Sequence, residues 1–299
     1  MATAIDRASR HRRFAASEAE TETVLRTTAT DTATDTDADT DADTEGNVPP
    51  TPVRSPAVRL LVAAALLCLV AAASAQDRSA EAAVYVAAWA RTRPAYRERD
   101  PLGTWVDDPR HVMTLRPRDT CLASLPSLGV RAEPLAFVPT PAPTPVRLLA
   151  PIDGVVFHKR REGAPVVVAC ELAARLPDVV RVLRRHGVTR VEVMSAYRGE
   201  PVDSFHHVGL ALDVSRVWVG DEELSVPRDY PIDRARATCP APTVAAGGVA
   251  GAGARLARLA CDLFDARVFS SVITPNYDDG HRSHFHFDLR PDDPRHFLR

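Results

Sequence analysis

Five of the ten histidines in this 299-residue chain fall into two clusters that also carry carboxylates. The first runs Ser204-Phe205-His206-His207-Val208-Gly209-Leu210-Ala211-Leu212-Asp213. The second runs His281-Arg282-Ser283-His284-Phe285-His286-Phe287-Asp288. Alternate residues of a strand share a face. His284, His286 and Asp288 would then form a polar face, and Phe285, Phe287 and Leu289 an apolar one suited to a core. Catalytic zinc takes three protein ligands and leaves one position for water. His206, Asp213 and His286 make such a set, for one zinc ion per chain. The bound water would become acidic near neutrality and the metal would polarise a carbonyl. His284 could then act as general base. His281, if protonated, could stabilise an oxyanion. Ser204 and Asp288 are expected behind the ligands, with Asp288 orienting a histidine. His207 is expected to point away.

A lone His-x-His pair on a strand is a weak signal and often a surface pair. The SxHxxGxAxD run is more specific, because several positions are constrained together. Gly209 permits a tight turn or a close backbone approach, and Ala211 leaves room beside Asp213. Upstream, Ser195-Ala196-Tyr197-Arg198 leads into the first cluster. An arginine there can clamp a substrate carboxylate in bidentate fashion, whereas Tyr197 is expected to be packed. His11, His111, His158, His186 and His296 are expected at the surface or as caps.

These residues need elements to hold them. Residues 79–92 have helical composition. Cys121, Leu125 and Leu128 have helical spacing, with Gly129 as the C-cap. Six prolines between Pro134 and Pro151 predict a loop or extended strap. Val155–Phe157 reads as a short strand. Residues 165–186 have the spacing of a helix ending at Gly187, with Pro177 able to start a second piece. Val188–Met194, Gly209–Val214, Val217–Val219, Val268–Ile273 and His284–Leu289 read as strands. Residues 252–266 form an amphipathic helix with Leu256, Leu259, Leu263 and Phe264 inward. The expected class is α+β, a single domain with a small antiparallel sheet and flanking helices.

Composition bounds the rest. Charged residues make up 25% and hydrophobic residues 45%, an ordinary globular balance. The net charge of −2 argues against a nucleic-acid partner. Residues 1–57 lack apolar periodicity, and Asp alternates with Thr or Ala from Asp31 to Glu45. Such a tail buries too little apolar surface to offset its ordering entropy, and the expected start of the reading frame lies downstream of it, at Val53 or Val58. Residues 58–75 pair Arg59 with an apolar run and an Ala73-Ser74-Ala75 site. They read as a secretory signal peptide or an uncleaved membrane anchor. Residues 76–116 form an N-terminal extension with a helix, and 117–299 the main domain. Cys121, Cys170, Cys239 and Cys261 follow the export segment. An even number in an exported domain suggests two disulfides, and spacing leaves all three pairings open.

The SxHxxGxAxD run followed by HxH resembles the zinc peptidases of the LAS group, which includes D-Ala-D-Ala carboxypeptidases and murein endopeptidases. The bacterial extensin-like C-terminal domain is the nearer likeness. Its SYxCR-like loop, its SxHxxGxAxDV run, its Ala-Cys-xx-Phe helix and its HxxHFHxD run correspond to Ser195–Arg198, Ser204–Asp213, Ala260–Phe264 and His281–Asp288. Cys121 and Cys170 also fall on positions that family tends to keep. The resemblance spans roughly residues 117–290. It implies a hedgehog/DD-peptidase-like fold and a mononuclear zinc site. It implies His206, Asp213 and His286 as ligands, His284 and His281 as catalytic, and Arg198 as substrate-binding. The chain departs from the pattern in lacking a cysteine before Arg198 and in carrying Ser283 where an acidic residue is common. The carboxypeptidases have a glutamate where this chain has His284, which places it nearer the endopeptidases. The expectation is an exported metallopeptidase of the periplasm or cell envelope, with peptidoglycan as its partner. The alternative is a catalytically inactive wall-binding domain of the same fold. The sequence sets no oligomeric state.

Overall fold

The computed structural model describes residues 78–92, 100–136, 138, 141–239 and 251–299. The low-complexity tail, the export segment and Cys68 lie outside the described residues. Helix α1 occupies residues 78–92. Its alanine-rich composition favours helix, and Val86, Trp89 and Ala90 form its buried stripe. Strand β1 (Thr104–Asp107) follows, then a 3-10 turn, helix α2 (Arg118–Ser124), a second 3-10 turn (Pro126–Leu128), β2 (Ala132–Pro134) and β3 (Pro145–Leu148). Next come β4 (Val156–Lys159), β5 (Val167–Ala169), α3 (Cys170–Arg185), β6 (Val188–Ser195), β7 (Ala211–Val219), β8 (Glu222–Ser225) and the single turn α4 (Val226–Asp229). The chain continues through α5 (Ala252–Asp265), β9 (Ser271–Ile273), β10 (Phe285–Asp288) and β11 (Arg295–Leu298). The mixture of sheets and helices fits the α+β expectation. No described helix is long and apolar enough to cross a membrane.

The sheet is larger than expected and not purely antiparallel. Eight strands run β1-β11-β9-β10-β7-β6-β4, with β8 on the far half of β7. The β9–β11 and β4–β6 pairs are parallel. A second sheet, β2-β3-β5, is antiparallel. It takes in part of the segment expected as a strap, because β3 begins at Pro145, a strand position where the missing N–H is tolerated. The two strand readings at 209–214 and 217–219 merge into β7. An irregularity opposite Glu192–Val193 lets that strand change partners without breaking. Residues 104–107, within the stretch read as an extension, pair with β11 in the main sheet.

Two helix expectations are corrected. Pro177 does not start a new piece: α3 runs unbroken through it. Leu172 and Leu176 before it, and Val179, Val180 and Leu183 after it, are all buried. Each such side chain contributes about 1.5–3 kcal/mol, against about 3 kcal/mol for an interior proline. Gly129, at φ 72°, closes the second 3-10 turn and not α2, which stops before Pro126. His296 is also corrected. It is buried in β11, where its Nδ1–H donates to the Phe269 carbonyl at 2.8 Å.

Both disulfides form, Cys121–Cys170 and Cys239–Cys261. They point to an oxidising environment and so to export. The first ties α2 to the start of α3. Beside it, buried Glu171 accepts from the backbone N–H and the guanidinium of Arg116 at 2.8–3.0 Å. Replacing Cys121 and Cys170 together by serine should lower the unfolding free energy by roughly 2–4 kcal/mol, since the bridge closes a long loop. Urea unfolding would read this as a lower midpoint. An unmoved midpoint would mean that the Glu171–Arg116 pair alone holds the two helices.

Candidate metal centre

Strand β10 pairs antiparallel with β7, and the register sets His286 opposite Asp213 and Asp288 opposite Ala211. Directly opposed residues project from the same face of a sheet. The small side chain of Ala211 therefore leaves space beside Asp288. Phe285, Phe287 and Leu289 lie on the other face, buried in the core. His206 arrives from the turn before β7. Its position depends on Gly209, which has φ +70°, and a Cβ there would stand 2.8 Å from the Ala169 nitrogen. The Gly209 carbonyl accepts from that same Ala169 N–H at 2.8 Å, which docks the turn onto the start of α3. Ser204 steadies the turn, accepting from the His206 N–H at 3.3 Å. Phe205 packs edge-on against Trp89 of α1 at 4.9 Å and carries the Arg290 guanidinium on its ring at 5.1 Å.

Three donor atoms converge. Asp213 Oδ1 lies 3.0 Å from His206 Nε2 and 2.9 Å from His286 Nδ1, and the two nitrogens are 3.2 Å apart. All three residues are buried. The opposite ring nitrogens define the chemistry. His206 Nδ1 contacts the Ala196 carbonyl at 2.6 Å, so it must carry the proton. His286 Nε2 faces Asp288 Oδ2 at 3.4 Å. With both rings neutral, Nε2 of His206 and Nδ1 of His286 direct lone pairs at a carboxylate. Three acceptors gathered in this way need a cation among them. Tetrahedral ligands at about 2.1 Å from zinc stand about 3.4 Å apart, within a few tenths of an ångström of the spacing seen. The group can hold a metal ion.

Without a metal, a proton serves. Burial opposes charge on His286, but the Asp213 and Asp288 carboxylates outweigh it and raise the ring to about 9. Burial lowers His206, which stays neutral near pH 7. Burial alone would raise the Asp213 carboxyl, yet contact with His206 and His286 holds it well below the usual carboxylate range.

A cleft of about 550 Å³ opens over the cluster, lined in part by Arg198, Ser204, His281, His284 and Arg290. His284 Nε2 is 3.5 Å from Asp213 Oδ1, and its Nδ1 is 3.3 Å from the Ser283 hydroxyl. Burial depresses His284 to about 4, so the ring is neutral at physiological pH. His281 lies 5.3 Å from His284 between ring centres. Arg198 donates its backbone N–H to the His206 carbonyl at 3.2 Å. The structure thus gathers His206, Asp213, His286, His284, His281, Arg198, Ser204 and Asp288 in one place. His207 is outside the donor set, with its Nδ1–H on the Gly199 carbonyl at 2.7 Å. Sequence reasoning missed Asp278, Phe205 and Arg290. For Asp278 the signal was present, as an acidic residue three before His281.

No family model, curated protein or solved structure matches the chain, so the chemistry of the site is argued from its own geometry.

Two outcomes follow from this geometry. Gly209→Ala should lower stability by roughly 1–3 kcal/mol, from backbone strain and displacement of the Ala169 contact. It should weaken metal binding as well, read together by thermal unfolding and metal titration. The His286 proton gives the pH dependence. Its value is raised above the ordinary 6.5, so its stabilising effect on metal-free protein is complete below that pH and is lost as pH rises through about 9. A metal at Nδ1 must displace that proton. Binding of zinc at pH 7.5 should release about one proton per chain, measured with an indicator dye, and affinity should rise towards pH 9. Binding without proton release would exclude His286 Nδ1 as a ligand.

Proposed function

We propose that the protein is an exported zinc hydrolase that cleaves peptide bonds in peptidoglycan stem peptides or cross-bridges. The observation that carries the reading is the convergence of His206 Nε2, Asp213 Oδ1 and His286 Nδ1 beside a polar cleft. Two imidazoles and one carboxylate suit zinc, and three ligands leave a position open for substrate chemistry. When bound, zinc would supply Lewis acidity, acidifying water and polarising a carbonyl.

The chain's own residues supply the rest. Asp288 keeps the His286 ring turned, and the Ala196 carbonyl fixes the tautomer of His206. His284 is a neutral imidazole beside the cluster, on the wall of the cleft. Arg198 places a guanidinium on the cleft wall, suited to a substrate carboxylate. The cleft volume is that of a small-ligand or peptide site. The murein substrate is supported by the likeness of the two histidine runs to LAS-type and extensin-like domains. The disulfides support a periplasmic or cell-envelope setting.

The purified chain should contain about one zinc per molecule by elemental analysis, lost in folded His206→Ala and His286→Ala. It should release soluble fragments from purified murein, with a roughly 10–100-fold loss of rate in His284→Ala, which removes an imidazole beside the cluster. Folded protein that takes up no added zinc would overturn the reading. Wild type and His284→Ala equally inert, yet both bound to murein, would favour a non-catalytic wall-binding domain.

A further inference from the structure

Asp278 is absent from the histidine runs, yet it controls one of them. Its Oδ1 accepts the backbone N–H of His281 at 3.0 Å and the ring Nδ1–H of the same residue at 2.6 Å. Two bonds from one residue to a single oxygen fix both the turn of the backbone and the tilt of the ring. Tyr277 limits the ring further, with an edge-on contact at 5.6 Å. The His281 side chain lines the cleft and lies 5.7 Å from the His286 ring. A carboxylate can only accept, so the nitrogen facing it bears the proton. The other nitrogen of the neutral ring, Nε2, then carries a lone pair. This differs from the sequence expectation, in which His281 donates a hydrogen bond to an oxyanion.

We propose that Asp278 is a positioning residue that holds His281 with Nδ1–H on its carboxylate, so that Nε2 meets the cleft as a proton acceptor. The proposal deepens the hydrolase reading and rests on it for its chemical role. The proton balance is simple. A water molecule gives a proton to His281 Nε2 as its oxygen bonds to the peptide carbonyl carbon, and the carbonyl π pair moves to the oxygen. On collapse the C–N bond breaks, and the leaving nitrogen takes the proton back from Nε2. The imidazolium formed between the two steps lies against the Asp278 carboxylate. The products are one carboxylic acid and one amine. Asp278 is about half exposed, so its contact with the ring contributes little to stability and its work is orientation.

The test separates this proposal from the hydrolase reading by using a signal that needs no turnover. Nitrogen-15 shifts of histidine-labelled protein, with the His281 signals assigned through His281→Gln, report which ring nitrogen is protonated. Wild type at pH 7.5 should show His281 as Nδ1–H. Asp278→Ala should lose that preference, and Asp278→Asn, which keeps an accepting oxygen, should retain it. On murein, Asp278→Ala should lower kcat by roughly 10–100-fold at unchanged KM and zinc content, with partial recovery in Asp278→Asn. An Nε2–H tautomer in wild type, or the same tautomer in Asp278→Ala, would overturn the proposal whether or not murein is cleaved. So would a normal kcat in Asp278→Ala alongside an inactive His281→Gln.

Discussion

The register of β10 on β7 puts His286 opposite Asp213, and most of the site follows from that pairing. A slip of β10 by one residue would turn His286 away from the face that carries Asp213 and bring Phe285 and Phe287 out of the core. Burial of those two rings is therefore what locks the polar face in place. Each fully buried aromatic contributes on the order of 1.5–3 kcal/mol to holding that register. The apolar side of one strand thus sets the geometry of its chemical side.

The third donor comes from outside the sheet and is held differently. His206 rides on a turn pinned by one backbone hydrogen bond, from the Ala169 N–H to the Gly209 carbonyl. That turn sits against the start of α3, and Cys170 in the first turn of α3 is bridged to Cys121. Phe205, next to His206, is gripped between Trp89 and Arg290. Helix α1 and the first disulfide, distant in sequence from the histidines, are mechanical supports for one of them. This matters because a donor displaced by 1 Å binds a metal poorly.

The electrostatics show why a buried carboxylate persists here. Asp213 has lost its water and gained two imidazoles, one of which carries a proton up to about pH 9. That proton occupies the place a cation would take, so the metal-free site is a proton-filled version of the loaded one. His284 and His281 stand outside this exchange. Burial keeps both below their ordinary values, but His281 is bonded to the Asp278 carboxylate at 2.6 Å, whereas His284 stands 3.5 Å from that of Asp213. His281 and His284 are therefore not equivalent.

The sequence by itself determined the residues of the cluster and the faces they occupy. The alternation His284, His286, Asp288 against Phe285, Phe287, Leu289 is a period-two pattern written into consecutive positions. The amphipathic spacing of α3 and α5 was legible for the same reason. It could not say which cysteines pair, because all three connectivities satisfy the same spacing. It lost β1, β8 and β11, since short strands with charged or half-exposed residues carry little periodic signal. Pro177 and Gly129 misled at helix ends, because local preference was outweighed by burial in one case and satisfied by a 3-10 turn in the other. Only the tertiary structure decided which nitrogen of each imidazole faces the cluster. That choice is made by the Ala196 carbonyl and the carboxylates of Asp288 and Asp278. All three lie within ten residues of the rings they orient, but their directions are set by the folding of turns and strands around them. Spacing fixes which residues can share a face, whereas the atom each side chain presents depends on a partner that only the fold brings within 3 Å or so.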